Sequence, residues 1–219
     1  LTAECGGFNH NHQTYRVVTE LERRYPDWPG LNLTHETLEG IAKHETEYDL
    51  SQIAGFDPTI CGSIEAQIAN IADELAYNAH DLDDGLQADL IALEDLRELE
   101  LWRYVCDSVG WSGDKIDEVT RHLLIRELIG VQVGDVVRAS AARLEALNPQ
   151  SVTDVQRNNQ QLVGNSEEMR PLNRQLKDFL FQNMYRHFRV ARMAKRAERF
   201  VEQIFNSYVE DTRQLPRAY

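Results

Sequence analysis

Hydrophobic residues recur at helical intervals over most of the chain, and the clearest case lies in residues 63–84. Its apolar positions are spaced three or four residues apart: Ile64, Ile68, Ile71, Leu75 and Ala79. At about 100° per residue, these positions share one face of a helix, which is predicted to be buried. Ser63 precedes the stripe and is predicted to cap the helix.

The same helix carries a polar stripe on its opposite side, made of Asn70, Asp73, Tyr77, His80 and Asp81. Side chains in this register lie close together, so they could bind one ligand. A solvated face is the alternative, because charged residues opposite an apolar stripe usually face water. The spacing leaves both interpretations open.

Similar spacing predicts further helices before and after this one. They cover residues 11–24, 31–45, 86–109, 115–147, 169–187 and 188–209. Thr34 is expected to cap the second helix, and Gly85 to end the central helix after a turn over residues 82–85. Gly130 and Gly134 mark a kink or a close helix contact. Residues 47–62 and 148–168 are predicted loops.

No convincing alternation typical of β-strands is present, so the chain is predicted to be all-α, with six to eight helices. Its 219 residues suffice for one domain with a sizeable core, and no shift in composition divides them. We therefore expect a single helical domain over residues 1–219. Because position 1 is Leu and no start-like segment precedes Gly6, the chain is expected to be a fragment or a processed product.

The net charge of -13 argues against a protein whose whole surface binds nucleic acid or an anionic membrane. One segment is nevertheless basic, through Arg186, Arg189, Arg192, Lys195, Arg196 and Arg199. This is expected to be the solvated face of an amphipathic helix. A contact with single-stranded nucleic acid is the weaker alternative.

The three cysteines, Cys5, Cys61 and Cys106, are widely spaced and include no CxxC pair. They indicate neither a disulfide framework nor a zinc site, which favours a reducing compartment. No signal peptide and no apolar run of about 18 residues is present, so a cytoplasmic protein without membrane contact is expected.

The histidines do not form a metal motif by spacing. His10 and His12 lie two residues apart and would point in different directions on a helix. His35 and His44 have no partner four residues on, so both are expected at the surface or behind the ligands of a site. His80 and Asp81 are adjacent and could be mistaken for a metal-binding dyad.

The segment IEAQIANIADELAYNAHDLDDG resembles the signature helix of the bacterial deoxyguanosinetriphosphate triphosphohydrolase family, within the HD-domain metallophosphohydrolases. Four other segments resemble further blocks of that family in the same order: GGFNHNHQTYRVV, RYPDWPGLNLTHETLEGIAKHE, QQLVGNSEEM and LKDFLFQNMYRHFRVARMAKRAE. Family members are roughly twice this length. The block with the first metal-binding His and the His-Asp pair has no counterpart here, so the chain is expected to be part of a larger enzyme.

The resemblance implies separate roles along the central helix. Asp73 matches the last protein ligand of the metal site, Tyr77 packs on the substrate sugar, and Asp81 accepts a hydrogen bond from its 3′-hydroxyl. His80 falls in the sugar-binding block and is not assigned to metal. In the later helix, Lys177 matches a phosphate-binding cation and Tyr185 a residue that lines the sugar pocket.

Asn9 departs from the family pattern FEHNxQ, in which a Glu helps to position the attacking water. An Asn can orient a water molecule but cannot take its proton. No catalytic residue is therefore assigned on this chain.

The activity implied by the resemblance is metal-dependent hydrolysis of a deoxynucleoside triphosphate to the deoxynucleoside and inorganic triphosphate. The cation would be Mg, Mn or another transition metal, and the protein would form homo-oligomers, tetramers or hexamers. The isolated chain is expected to be inactive. The alternative is a catalytically silent helical regulatory or interaction protein built on the same scaffold.

Overall fold

A computed structural model describes residues 7–44, 53, 55–158 and 160–216 of the chain. The described residues contain nine α-helices: α1 His10–Arg16, α2 His35–Ala42, α3 Ile64–Gln87, α4 Leu93–Leu96, α5 Glu100–Ser108, α6 Glu118–Leu147, α7 Val152–Gln156, α8 Met169–Leu180 and α9 Phe188–Glu210. Two π-helical segments, Val17–Leu21 and Phe181–Tyr185, continue α1 and α8. Within these ranges there is no β-strand, apart from one isolated bridge between Arg23 and Gly30. The predicted all-α class is confirmed.

The two predicted helix caps, Thr34 and Ser63, are confirmed. The Thr34 hydroxyl accepts a hydrogen bond from the Thr37 N–H at 3.4 Å, and the Ser63 hydroxyl accepts one from the Ala66 N–H at 3.3 Å. Each bond satisfies a backbone donor that has no partner within the helix. The end of the second predicted helix at Glu45, residues 47–52 and 54 of the predicted loop, and Cys5 lie outside the described residues.

The predicted turn at residues 82–85 is wrong, because α3 continues to Gln87 and Gly85 is buried inside it. A Cβ atom at Gly85 would lie 2.4 Å from Cδ1 of Ile91. The glycine therefore permits close packing of the chain that follows the helix. It does not end the helix.

The single helix predicted over residues 86–109 is also wrong. A break separates Gln87 from the short α4, and α5 follows. Asp89 adopts a left-handed conformation, with φ 51°, at the break. This break, and the short α7 inside the loop predicted over residues 148–168, raise the number of helices above six to eight.

The core lies where α3, α5, α6 and α8 meet. Its most completely buried large side chains are Leu82, Leu96, Leu101, Leu124, Leu128, Leu180, Gln132 and Val105. The long helix α6 runs unbroken from Glu118 to Leu147. A Cβ atom at Gly130 would meet nothing within 4 Å, so Gly130 does not mark a close helix contact.

Some apolar positions that the pattern predicted to face inward are exposed. Ile68 of α3 is 49% exposed, and α6 exposes Val119, Leu123, Val133 and Val137. The described residues leave these parts of both helices uncovered. None of the helices in the described part of the chain is both long enough and apolar enough to cross a membrane. The extent of one domain over residues 1–219 stays a prediction.

Candidate functional site

A cavity of about 1520 Å³ lies between α3, α8 and the segment of residues 160–167. Its lining includes all five side chains that the sequence singled out for metal or substrate: Asp73, Tyr77, Asp81, Lys177 and Tyr185. The polar stripe of α3 therefore faces a cavity over most of its length. His80, the remaining titratable member of the stripe, is exposed and is not among the residues that line it.

Asp81 and Tyr185 are joined across the cavity by a hydrogen bond from the Tyr185 hydroxyl to Oδ2 of Asp81. Burial raises the pKa of Asp81, and the bond from Tyr185 partly opposes that rise. The pKa of Tyr185 is also raised, first by burial and then by the bond to Asp81, so this phenol remains protonated and can donate. The bond uses one oxygen of the Asp81 carboxylate, and the second oxygen can accept from another donor.

Tyr77 and Tyr185 form a stacked aromatic pair beside Asp81. Their rings are nearly parallel, with an interplanar angle of 6° and centroids 6.3 Å apart. Aromatic rings in this arrangement offer a broad apolar contact with polar hydroxyls at the edge. A weakly polar group of a ligand could pack against the exposed part of the Tyr77 ring.

The position of Tyr185 depends on a change of helix type. The sequence places Lys177 and Tyr185 on one face because they are eight residues apart, but α8 ends at Leu180 and a π-helical segment carries Tyr185. Each π-helical residue rotates less about the axis than an α-helical one. Both side chains still line the cavity. Short π-helical segments inside α-helices are frequent at functional sites.

His44 is a cavity residue that sequence reasoning did not select. Its Nδ1 lies 2.6 Å from Oδ1 of Asn70, and its Nε2 lies 3.8 Å from Oδ2 of Asp73. The side-chain amide of Asn11 donates to the His44 carbonyl at 3.1 Å and ties this residue to α1. No local signal could have found it, because Asn70 and Asp73 are 26 and 29 positions away in the sequence. His35, in contrast, is exposed and stacks on Phe56.

His44 and Asp73 are the kinds of donors that divalent transition metals take, an imidazole nitrogen and a carboxylate oxygen. Catalytic ions generally have about three protein ligands. Among the described residues, no group of three or more His, Cys, Asp or Glu side chains could hold a metal. The residues described here therefore do not fit a complete metal centre, and Asp73 stays a predicted ligand.

Three basic side chains of α8 line the cavity at positions i, i+4 and i+7: Arg170, Arg174 and Lys177. Carboxylates lie near each of them: Glu167 is 3.1 Å from Arg170, Asp178 is 3.2 Å from Arg174, and Glu74 is 3.7 Å from Lys177. The first two pairs are largely exposed, so an anionic ligand could replace the carboxylates at little cost. Arg170 and Arg174 were missed, although their spacing from Lys177 is visible in the sequence.

The residues of the FNHNHQ segment lie outside this lining. Asn9 accepts a hydrogen bond from the His12 N–H at 3.0 Å and caps α1, while His10 and His12 are exposed. Cys61 and Cys106 are unpaired thiols. Burial raises the pKa of Cys106 to about 11, so it remains protonated near neutral pH.

Comparison with known proteins adds two findings. Residues 163–219 match a family described as a phosphohydrolase-associated domain. Similar curated proteins include three named deoxyguanosinetriphosphate triphosphohydrolase-like protein. The one from Geobacter sulfurreducens is 46% identical over 217 residues, covering 98% of this chain and 56% of the relative. Those from Ralstonia nicotianae and a Bradyrhizobium species are 44% and 40% identical, covering 98% and 99% of this chain and 56% and 58% of the relatives. The chain thus spans a little more than half the length of these relatives.

Proposed function

Because the chain belongs to the family of deoxyguanosinetriphosphate triphosphohydrolase-like proteins, we propose that the protein that contains it hydrolyses deoxynucleoside triphosphates to deoxynucleoside and inorganic triphosphate. The family supports a phosphohydrolase in general. The observation that supports this particular substrate is the shared cavity: an aromatic pair, a carboxylate and three cations line it together.

Each group has a part of the substrate for which its chemistry is suited. The rings of Tyr77 and Tyr185 would pack on the deoxyribose, and their bulk would select the 2′-deoxy form sterically. Asp81, with one oxygen bound by Tyr185, would accept a hydrogen bond from the 3′-hydroxyl. Lys177 would bind the phosphates, with Arg170 and Arg174 on the same helix.

The reaction breaks the bond between the α-phosphorus and the 5′-oxygen. The oxygen of a water molecule becomes bonded to phosphorus in the released triphosphate, and the 5′-oxygen takes a proton as it leaves. HD-type phosphohydrolases generally use divalent metals, which polarise a phosphoryl oxygen and lower the pKa of water. Asp73, with His44 beside it, is our candidate for the contribution of this chain to such a site. The remaining ligands would come from outside the described residues.

We also propose a cytoplasmic location and a homo-oligomeric assembly. Unpaired cysteines favour the cytoplasm. Homo-oligomers, tetramers or hexamers, would cover part of the exposed apolar surface of α6 and α9. Sedimentation at tens of micromolar would test the assembly, and a species that stays monomeric in the longer protein would count against it.

The function is tested by incubating the longer protein with each deoxynucleoside triphosphate and Mn or Mg, and following the products by ³¹P NMR. We expect inorganic triphosphate from at least one substrate, and none from the 219-residue chain alone. Release of pyrophosphate or orthophosphate would contradict the bond assignment. No turnover of any substrate would favour the catalytically silent scaffold, and turnover by the isolated chain would show that it holds all the essential groups.

A further inference from the structure

One wall of the cavity is not a free loop. Val163, Gly164 and Asn165 line the cavity here, within the segment of residues 162–166 that we call the wall. Four side chains of α3 and α6 form hydrogen bonds with the backbone of this segment. We call these four residues, Gln67, Asp135, Ser140 and Arg143, the clamp. The sequence assigned no role to any of them.

Three clamp residues accept hydrogen bonds from the backbone of the wall. Oε1 of Gln67 accepts from the N–H groups of Leu162 and Val163, at 2.8 and 3.1 Å. The Ser140 hydroxyl accepts from the Gly164 N–H at 3.1 Å. Oδ2 of Asp135 accepts from the Ser166 N–H at 2.8 Å.

Arg143 completes the clamp by donating to two successive carbonyls. Its guanidinium donates to the Gly164 carbonyl at 2.8 Å and to the Asn165 carbonyl. A lysine could not reproduce this fork, because its N–H donors diverge from one nitrogen, whereas the two bonds of Arg143 come from two separate nitrogens. Arg143 lines the cavity with Arg170 and Arg174, yet its guanidinium is bound to protein carbonyls.

The hydrogen bonds of the clamp are strengthened by burial. Gln67 is 2%, Ser140 7% and Asp135 9% exposed, so water competes little for their partners. Gln67 also donates to the Gly62 carbonyl at 2.9 Å, which fixes its own amide. A binding surface held in this way loses little conformational freedom when a ligand arrives.

We propose that the clamp is a positioning device that preorganises the wall for ligand binding, and that Arg143 acts through the wall and is not a phosphate ligand. The nature of the ligand, a deoxynucleoside triphosphate, rests on the proposed function. Because the N–H groups of residues 162, 163, 164 and 166 are taken by the clamp, the wall would contact the ligand mainly through side chains such as Asn165. It would not act as a backbone phosphate cradle, in spite of its Gly164.

A positioning role can be distinguished from a direct contact with the ligand, because Arg143 lines the cavity and Ser140 does not. Amide hydrogen exchange of the longer protein would be compared for the wild type, Ser140→Ala, Arg143→Lys and the control Arg138→Lys. Arg138 is an exposed residue of the same helix. We expect exchange in residues 162–166 to quicken about three- to tenfold in the first two variants and to stay unchanged in the control.

Two variants of Asp135 show whether faster exchange comes from one lost hydrogen bond or from a general loss of folding. Asp135→Asn keeps an oxygen that can accept from the Ser166 N–H, whereas Asp135→Ala does not. The Asn variant should therefore keep exchange near that of the wild type, and the Ala variant should not. Rapid exchange of residues 162–166 in the wild type would overturn the proposal.

Ligand binding then tests the positioning role. With a non-hydrolysable deoxynucleoside triphosphate, the Kd of the longer protein should rise about three- to tenfold in both Ser140→Ala and Arg143→Lys. In the longer protein, KM should rise similarly while kcat stays within about twofold. If only Arg143→Lys weakens binding and exchange does not change, Arg143 is a direct ligand and the proposal fails. If the longer wild-type protein binds no nucleotide but the exchange results hold, the proposed function alone is contradicted.

Discussion

Helices α3 and α9 have the same apolar period and nearly the same length, 24 and 23 residues, but opposite surroundings. Eight residues of α3 are buried, among them Leu75, Ala79 and Leu82. In α9, all of whose residues are described, none is buried. Periodicity therefore tells which residues share a face of a helix, but not what covers that face.

The difference follows from the neighbours of each helix. The apolar side of α3 faces α6 and α8, so Leu75, Ala79 and Leu82 are buried, whereas Ile68 of the same stripe is exposed. Helix α9 packs mainly against the adjacent segments Phe181–Tyr185 and Thr212–Gln214. Its apolar side chains stay exposed: Met193, Phe200, Val201, Ile204, Phe205, Tyr208 and Val209.

The polar faces differ in the same way. The polar stripe of α3 looks into a cavity, whereas the arginines of α9 are exposed, as expected for a solvated face. Arg192 and Arg196 lie over the exposed rings of Phe188 and Phe200, at 5.2 Å in each case. These contacts arrange the helix surface but define no concave site.

The largest effect is expected at the polar face of α3. In the longer protein, Asp73→Ala should lower turnover by at least about 10³-fold and reduce the bound metal, because it removes a ligand while leaving the apolar stripe intact. Glu65→Ala, at an exposed position of the same helix, is the control and should leave both unchanged. Triphosphate release and metal analysis measure the two effects. Normal turnover and metal content in Asp73→Ala would reduce the stripe to a solvated face.

The two apolar faces should differ in their contribution to stability. Leu82→Ala, at a position 1% exposed, should lower the free energy of unfolding of the chain by about 2–5 kcal/mol, because it leaves a cavity in the core. Phe200→Ala, in the exposed face of α9, should change it by about 0.5 kcal/mol or less. Urea unfolding measures both. Similar losses for the two variants would mean that a partner surface covers α9 in solution.

Local pattern was sufficient for the fold class, the long helices and two caps, because each depends on residues within one or two turns. It was insufficient at Gly85, where the reason for the glycine is the Ile91 side chain packed against it. Gly85 is required for tertiary packing against Ile91, and its low helix propensity does not end the helix.

In the candidate site, too, local spacing predicts some residues and not others. Asp73, Tyr77 and Asp81 share a face by spacing alone, so their common cavity could be anticipated. His44 and the clamp could not, because their partners lie far along the chain: the amide of Gln67 binds residues 95 and 96 positions away. A hydrogen bond between distant segments leaves no periodic signal in either of them.

An intermediate effect is expected for the carboxylate of the sugar subsite. Asp81→Ala should weaken substrate binding by about 1.5–3 kcal/mol, through loss of a charge-assisted hydrogen bond, without removing metal. Glu65→Ala is again the control, since Glu65 is exposed and outside the cavity lining. Binding of a non-hydrolysable substrate by calorimetry checks the prediction. A loss of metal in Asp81→Ala would mean that its role has been assigned to the wrong part of the site.

A smaller effect is expected for the aromatic surface. Tyr77→Phe keeps the ring that faces Tyr185 and should cost less binding free energy than Tyr77→Ala, which should cost about 0.5–1.5 kcal/mol more. Steady-state kinetics with the longer protein measures the difference as a change in KM. Equal losses in the two variants would show that the hydroxyl, and not the ring, makes the contact.

The smallest effect concerns the pH dependence of stability and substrate binding. It tests whether Tyr185 controls the pKa of Asp81. Burial raises the pKa of Asp81, so its proton is held more tightly in the folded chain than in the unfolded one. Its contribution to stability is therefore present below the ordinary pKa of an Asp and is lost as the pH rises through the raised value. Binding should show the opposite trend: substrate affinity should fall as the pH drops through the raised pKa, because the ionised carboxylate accepts the sugar hydroxyl.

Tyr185→Phe removes the hydrogen bond that holds this pKa down. The fall in affinity should then begin at a higher pH than in the wild type, whereas Asp81→Asn should show no such fall. Both expectations are checked by measuring substrate affinity across the acidic pH range at a constant metal concentration. If the profile of Tyr185→Phe coincides with that of the wild type, the titrating group lies elsewhere, and Asp81 binds the sugar in a protonation state that Tyr185 does not control.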